Sequence, residues 1–298
     1  MSIDQIRETV SGLNKSASAL AALGAALDAR VTGKALDPSL EPLILEVVAL
    51  LGIDADLAGA TEAELLPLLG EIRTFALSNA KLLGRSSRST GWAHTEPDLL
   101  QAAGDVSAAF PRALACNIAP RLTGLSERLD APDAAFLDVG VGVGALSIEM
   151  AKRWPSLRIV GIDSWTPALA LAHDNVRAAG LEARIELREQ LAEELSDEDA
   201  YDLAWIPSAF VPPFAIRRVV QCVLRALRPG GWVLFPTLAA GGDPLSNALA
   251  RLRTAMFGGF SSTPEGIEAL LAEKGFVDVR TLPRPRTSVS ATIAGRRP

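Results

Sequence analysis

Leu137-Asp138-Val139-Gly140-Val141-Gly142-Val143-Gly144 is the stretch on which the fold turns. An apolar run ends in three alternating glycines, and a helically spaced segment, ALSIEMAKRW, starts on the third. Strand, glycine turn and helix in that order let the backbone bend sharply and let a ligand lie against it at the carboxyl edge of a sheet. Asp163 closes the next apolar run, 19 residues after Gly144, where a carboxylate can accept both hydroxyls of a ribose. Up to this point the residues imply a ribose-bearing cofactor across the first two strands.

Working outward, apolar strands alternate with helical stretches from residue 134 onward. The strands are AAFLDVG, RIVGID, RIELRE, YDLAWIP and WVLFPTL, and the helices start near Gly144, Thr166, Pro213 and Asp243. That alternation predicts right-handed crossovers and a doubly wound, mostly parallel sheet. The ending differs: TPEGIEALLAEKGF leads into VDVRTLP and TSVSATIAGRR, two strands joined by RPR. Strands so closely joined pair antiparallel, so the sheet, seven-stranded in all, is expected to finish with a reversed strand.

Upstream, the chain reads as helix after helix. Ile3, Ile6, Val10 and Leu13 share one helical stripe, and PSLEPLILEVVALLGI is apolar over too wide a face for an exposed helix. Thr61 with Glu64 forms a capping-box pattern before ELLPLLGEIRTFALSNAKLL. The Gly-, Ser- and Arg-rich run at 84–95 reads as an interdomain loop, and EPDLLQAAGDVSAAFPRALACNIAPRL as a connecting helix broken near Pro111. Two domains are expected: an all-α domain at 1–90 and a sheet domain, with linker helices, at 91–298. The surplus apolar surface of the first predicts a homodimer built through it.

Composition narrows the classes. The chain has 298 residues, 49% of them hydrophobic, with 29 Lys and Arg against 35 Asp and Glu. A net charge of −6 argues against a nucleic-acid partner, whose phosphates need a concentrated basic surface. Two cysteines and two histidines exclude a disulfide framework and a His-rich metal site, so no metal is expected. No signal-peptide pattern and no run of 18 apolar residues occurs, which predicts a cytoplasmic protein without a membrane partner. The five arginines from Arg280 to Arg297 read as a solvated edge.

Gly140-x-Gly142-x-x-Ala145 also satisfies the loose dinucleotide fingerprint. Three features separate the chain from it: Asp138 puts a carboxylate where a pyrophosphate would lie, the glycines run G-x-G-x-G, and the sheet closes antiparallel. Here the sequence resembles the class I S-adenosylmethionine-dependent methyltransferases. LDVGVGVG is similar to their first motif, IVGID to the second, RIELREQ to the segment after strand three, YDLAWIP to the fourth and LRPGGWVLF to the fifth, in order across 131–298. The helical front end resembles the dimerising, substrate-covering domain of small-molecule O-methyltransferases.

The resemblance implies S-adenosylmethionine as cofactor. It implies Asp138 for the methionyl ammonium, Gly140, Gly142 and Gly144 for the loop, and Asp163 for the ribose. Ser164 and Trp165 fall where a flat side chain packs on adenine, Glu189 and Gln190 where an acid or amide meets its amine, and Trp205 at the end of strand four. WIPSAFVPPF lies where the acceptor meets the sulfonium, but lacks the Asp/Asn-Pro-Pro-Tyr/Phe order of many N-methyltransferases. No histidine follows His173, so the plant-type O-methyltransferase base is missing, and His173 inside its helix reads as structural. His94 is then the candidate general base, with Trp92, Ser208 and Phe210 around a small-molecule acceptor, most simply an oxygen. Two other readings stay open: an S-adenosylmethionine-binding enzyme with different chemistry, such as cyclisation of the cofactor, and a non-enzymatic binding protein.

Overall fold

The computed structural model describes residues 2–83, 92–238, 243–284 and 290–298. The described chain falls into two compact units, residues 2–83 with 101–109, and residues 92–100 with 110–298. Most of the expected interdomain loop, 84–91, lies outside the described residues.

The first unit is helical: α1 (Ile3–Thr32), α2 (Glu41–Leu50), α3 (Asp54–Gly59), α4 (Glu62–Leu83) and the later turns of α5 (Pro97–Asp105). Ser2 and Gln5 cap α1 reciprocally, at 2.9 and 3.3 Å, and Gly33 ends it in the left-handed region at φ 68°. At α4 the expected cap is half realised. The Thr61 amide donates to the Glu64 carboxylate at 3.1 Å, but the Thr61 hydroxyl turns to that same carboxylate. The core is small, with Leu27, Leu65 and Leu69 buried against Leu23, Val31 and Ile72. Ile3, Ile6, Val10 and Leu13 are all exposed, as are Leu43, Leu45 and Leu50 of α2. The wide apolar face that the sequence predicts for α2 is therefore uncovered within this unit.

The second unit carries a seven-stranded sheet: β1 (Ala135–Val139), β2 (Arg158–Asp163), β3 (Ile185–Glu189), β4 (Tyr201–Trp205), β5 (Leu227–Leu238), β6 (Val277–Thr281) and β7 (Ser290–Arg296). The spatial order is 3-2-1-4-5-7-6, with β1 to β5 parallel and β7 antiparallel to both β5 and β6. The reversed strand is thus seated between β5 and β6. Side chains alternate across the sheet, and each face has its own helices. Leu137 and Val139 face α10 (Ile216–Ala226) and α12 (Pro264–Glu273), whereas Phe136 faces the opposite layer. That layer is made by α7 (Leu125–Leu129), α8 (Ala145–Arg153) and Val176 of α9 (Thr166–Ala178). Helix α11 (Pro244–Phe257) follows β5, and α6 (Phe110–Ala113) leads into a π-helical turn at Leu114–Ile118. The connecting helix therefore breaks at 106–109, just ahead of Pro111.

At the sheet's amino edge, buried Asp202 accepts from Arg128 (2.9 Å), Arg228 (2.7 Å) and the Ala135 amide (3.0 Å). These bonds tie the bases of β1, β4 and β5 together. Three of the arginines expected to form a solvated edge make ties as well. Arg280 donates to the Arg121 carbonyl (2.7 Å) and lies over Trp232, Arg296 pairs with Asp278 (2.6 Å), and Arg297 with Asp199 (2.5 Å). Arg286 lies outside the described residues. No helix among the described residues is long and apolar enough to cross a membrane.

Candidate active site

Strands β1 and β4 are neighbours, yet the chain leaves β1 for β2 on its other side, so a crevice opens at their carboxyl ends. The glycine loop fills one wall. Gly140, Gly142 and Gly144 have φ of 72°, 56° and 81°, a region that side chains with a Cβ seldom enter. The Asn175 side chain in α9 donates to the Val143 carbonyl at 2.9 Å and holds the loop from behind. Pro207 comes close to Gly140, bringing the segment after β4 alongside.

Two carboxylates frame the loop. Asp138 is buried, and the Ser147 hydroxyl of α8 donates to it at 2.7 Å. Burial pushes its pKa up to about 7; the Ser147 bond opposes the shift and the Asp163 charge adds to it. Asp163 accepts from the Gly142 amide and the Trp165 amide, both at 2.8 Å. Burial raises its pKa too, against the pull of those N–H groups. Each carboxylate oxygen carries more than one lone pair, so acceptor capacity remains for ribose hydroxyls. A buried carboxylate with a hydroxyl donor, beside a turn of three glycines, also matches an ammonium group. The residues fit S-adenosylmethionine.

The other expected residues divide into two groups. Ser164 and Glu189 are exposed, the latter accepting from the Thr166 hydroxyl at 3.2 Å. Glu189 pairs in register with Asp163, and the Gln190 amide donates to the Asp163 carbonyl at 3.0 Å, so both stand at the crevice mouth. The Gln190 side chain turns to the Glu194 carbonyl at 3.2 Å. Trp205 lies in register with Asp138 and stacks at a tilt on Phe110, with ring centres 4.2 Å apart. Trp165 is half-buried, and its indole N–H donates to the His94 carbonyl at 2.6 Å.

His94, Trp92 and Phe210 come together. The His94 ring is buried and meets Trp92 edge-on at 4.7 Å; Trp92 meets Phe210 at 5.0 Å. Sequence reasoning missed Phe257 at the end of α11. It stacks on Phe210 at 5.1 Å and meets Trp92 at 5.3 Å. Ser208, at the start of the short 3₁₀ turn after β4, is 1% exposed, and its hydroxyl has no partner among the described residues. A buried donor left without a partner is costly and points to a ligand or water. Ser147 was also missed, although its place one turn into the helix after the loop was readable. His173 is exposed on α9.

Fold and site together define a doubly wound domain built for a nucleoside-bearing cofactor. Residues 136–231 match the family described as Methyltransferase domain. Among curated relatives, the U6 snRNA (guanine-N(2))-methyltransferase THUMPD2 of Bos taurus is 36% identical over 107 residues, 34% of this chain and 21% of that protein. The ubiquinone biosynthesis O-methyltransferase of Pseudomonas fluorescens SBW25 is 30% identical over 120 residues, 40% and 50% of the respective lengths. The chain thus spans half or less of the length of these two relatives. Among solved structures, the mitomycin 7-O-methyltransferase MmcR superposes with a TM-score of 0.60 at 17% identity, covering 99% of this chain and 98% of that one. Human N-acetylserotonin methyltransferase, in complex with SAM, gives 0.56 at 16% identity over 99% of both chains. Residues 136–231 thus match a methyltransferase domain, and the chain has the fold of the class I methyltransferases.

Proposed function

We propose that the protein transfers the methyl group of S-adenosylmethionine to a small-molecule acceptor, most directly an oxygen. The observation that carries this reading is the Ser208 hydroxyl, buried without a partner among the described residues, in the turn whose Phe210 ring meets Trp92 and Phe257. Such a lining suits a compact, largely apolar molecule with one polar group.

When bound, S-adenosylmethionine supplies an electrophilic methyl on a sulfonium leaving group. Asp138 receives the ammonium, Asp163 the ribose hydroxyls, and the Trp165 ring the adenine face, with Ser164, Glu189 and Gln190 at its rim and Trp205 beside Asp138. Ser208 fixes the acceptor's polar atom, and His94 takes its proton as general base. Aligning nucleophile and methyl in a water-poor pocket supplies much of the rate. The two unpaired cysteines, Cys116 and Cys222, suit a reducing compartment and support a cytoplasmic enzyme.

One relative's name mentions an RNA, but here three of the tail arginines, Arg280, Arg296 and Arg297, are taken up by a carbonyl and by carboxylates, which favours the small molecule. The test is incubation of the protein and methyl-labelled S-adenosylmethionine with a cell extract split by size. Label in the low-mass fraction, with S-adenosylhomocysteine as co-product, is expected. Label only in RNA or protein would overturn the acceptor class, and no S-adenosylhomocysteine would overturn the reaction.

A further inference from the structure

Three hydrogen bonds run in series from the glycine loop to the aromatic wall. The Asp163 carboxylate accepts from Gly142 on one side and from the Trp165 amide on the other. Trp165 precedes α9 in an extended conformation, φ −96° and ψ 93°, and its side chain makes no capping bond. Its indole N–H instead reaches the His94 carbonyl at 2.6 Å. From there the His94 ring touches Trp92, which touches Phe210 and Phe257. The same indole packs in one cluster with Leu100, Val143, Ala168 and Trp92.

We infer that Trp165 is a positioning residue that links the two halves of the site: filling the Asp163 seat fixes the Trp92–His94 segment through the indole N–H. This rests on the reading under Proposed function. A ligand moves an equilibrium only through contacts that differ between its states. A ribose on Asp163 holds that carboxylate and its two amide donors in one arrangement, and a base on the indole face holds one rotamer of the ring. In that rotamer the N–H meets the His94 carbonyl; a rotated ring loses both contacts. Losing that bond at the buried His94 penalises the rotated state. The acceptor wall is complete only with the indole pinned, so the cofactor binds first and the acceptor second.

The test uses the full chain with fluorine-labelled tryptophan. Its five tryptophans give five resonances, assigned by single Phe replacements. S-adenosylhomocysteine is added to saturation, judged by calorimetry for each variant. The Trp92 signal is expected to move in the wild type. In Trp165→Phe, which keeps an aromatic face without the N–H, that movement should shrink by about threefold or more. A Trp92 signal indifferent to bound ligand in the wild type overturns the link, and so does a full response in Trp165→Phe. If that variant fails to fold, exchange of the Trp165 indole proton in the wild type decides: slowing by about tenfold on ligand binding is expected, and an unchanged rate overturns the link. No calorimetric binding at all would defeat the methyltransferase reading itself, a separate result.

Discussion

Asp138 releases its proton near pH 3.8 in the unfolded chain but only near 7 when folded, because burial disfavours its charge. The stability this adds is complete below about pH 3.8 and is lost as pH rises through about 7. Asp138→Asn removes the titration and keeps the Ser147 contact. Its melting temperature relative to the wild type should climb between about pH 4 and 8 and then level off; parallel profiles would put the carboxylate in solvent. The variant should also bind S-adenosylhomocysteine more weakly above about pH 7, where the wild-type carboxylate is charged and can meet an ammonium. At Asp163 the expected loss is of affinity. Asp163→Ala removes charge-assisted bonds worth about 1.5–3 kcal/mol, roughly 10- to 150-fold in the dissociation constant by calorimetry. Unchanged affinity in a folded variant would move the ribose elsewhere. These two acids were legible as single letters in a strand–glycine pattern. The bonds they make were not, because the Ser147 hydroxyl and the Trp165 amide reach them across distances that only the folded turn creates.

The strands were legible because apolar runs bounded by polar turns have no other use in a doubly wound sheet. β5 is the instructive miss. Its reading began at Trp232, since Arg228-Pro229-Gly230-Gly231 has the composition of a turn, yet the strand starts at Leu227 and pairs with Tyr201 across an irregularity. Phe257 was invisible for another reason: an aromatic at a helix end carries no sign of what it will face. The glycine after its C-cap does carry one. At Gly259 the chain passes so close to Ala209 that a Cβ would overlap the Ala209 backbone. The Phe260 amide donates to the Ser208 carbonyl at 2.8 Å just beyond. Gly259→Ala therefore forces the 3₁₀ turn carrying Ser208 and Phe210 away from α11. Overpacking of this kind costs about 1–3 kcal/mol, so thermal unfolding should drop by roughly 4–10 °C. An unshifted melting point would mean that the turn yields freely.

As a whole molecule the chain holds a well-filled sheet unit and a helical unit with little core of its own. Helix α1 has 30 residues, about 45 Å of rise, and its Ile3, Ile6, Val10 and Leu13 stripe is uncovered within the helical unit. We propose that a second copy covers it, giving a homodimer. Sedimentation should show twice the monomer mass, and the double change Val10→Glu with Leu13→Glu should yield monomers. A wild type that stays monomeric at high concentration would refute the pairing.

The seat of β7 has a consequence in time. Among the described residues β7 is the one strand paired with β6, so until residues 290–296 arrive β5 keeps an open flank and β6 has no strand beside it. While β7 is undocked, apolar β5, the strand of Val233 and Phe235, offers a bare ladder of amides and carbonyls to any chain nearby. Closing that gap joins segments more than fifty residues apart, which is slow by chain entropy. Insertion of a single seven-residue strand is what removes that exposed edge.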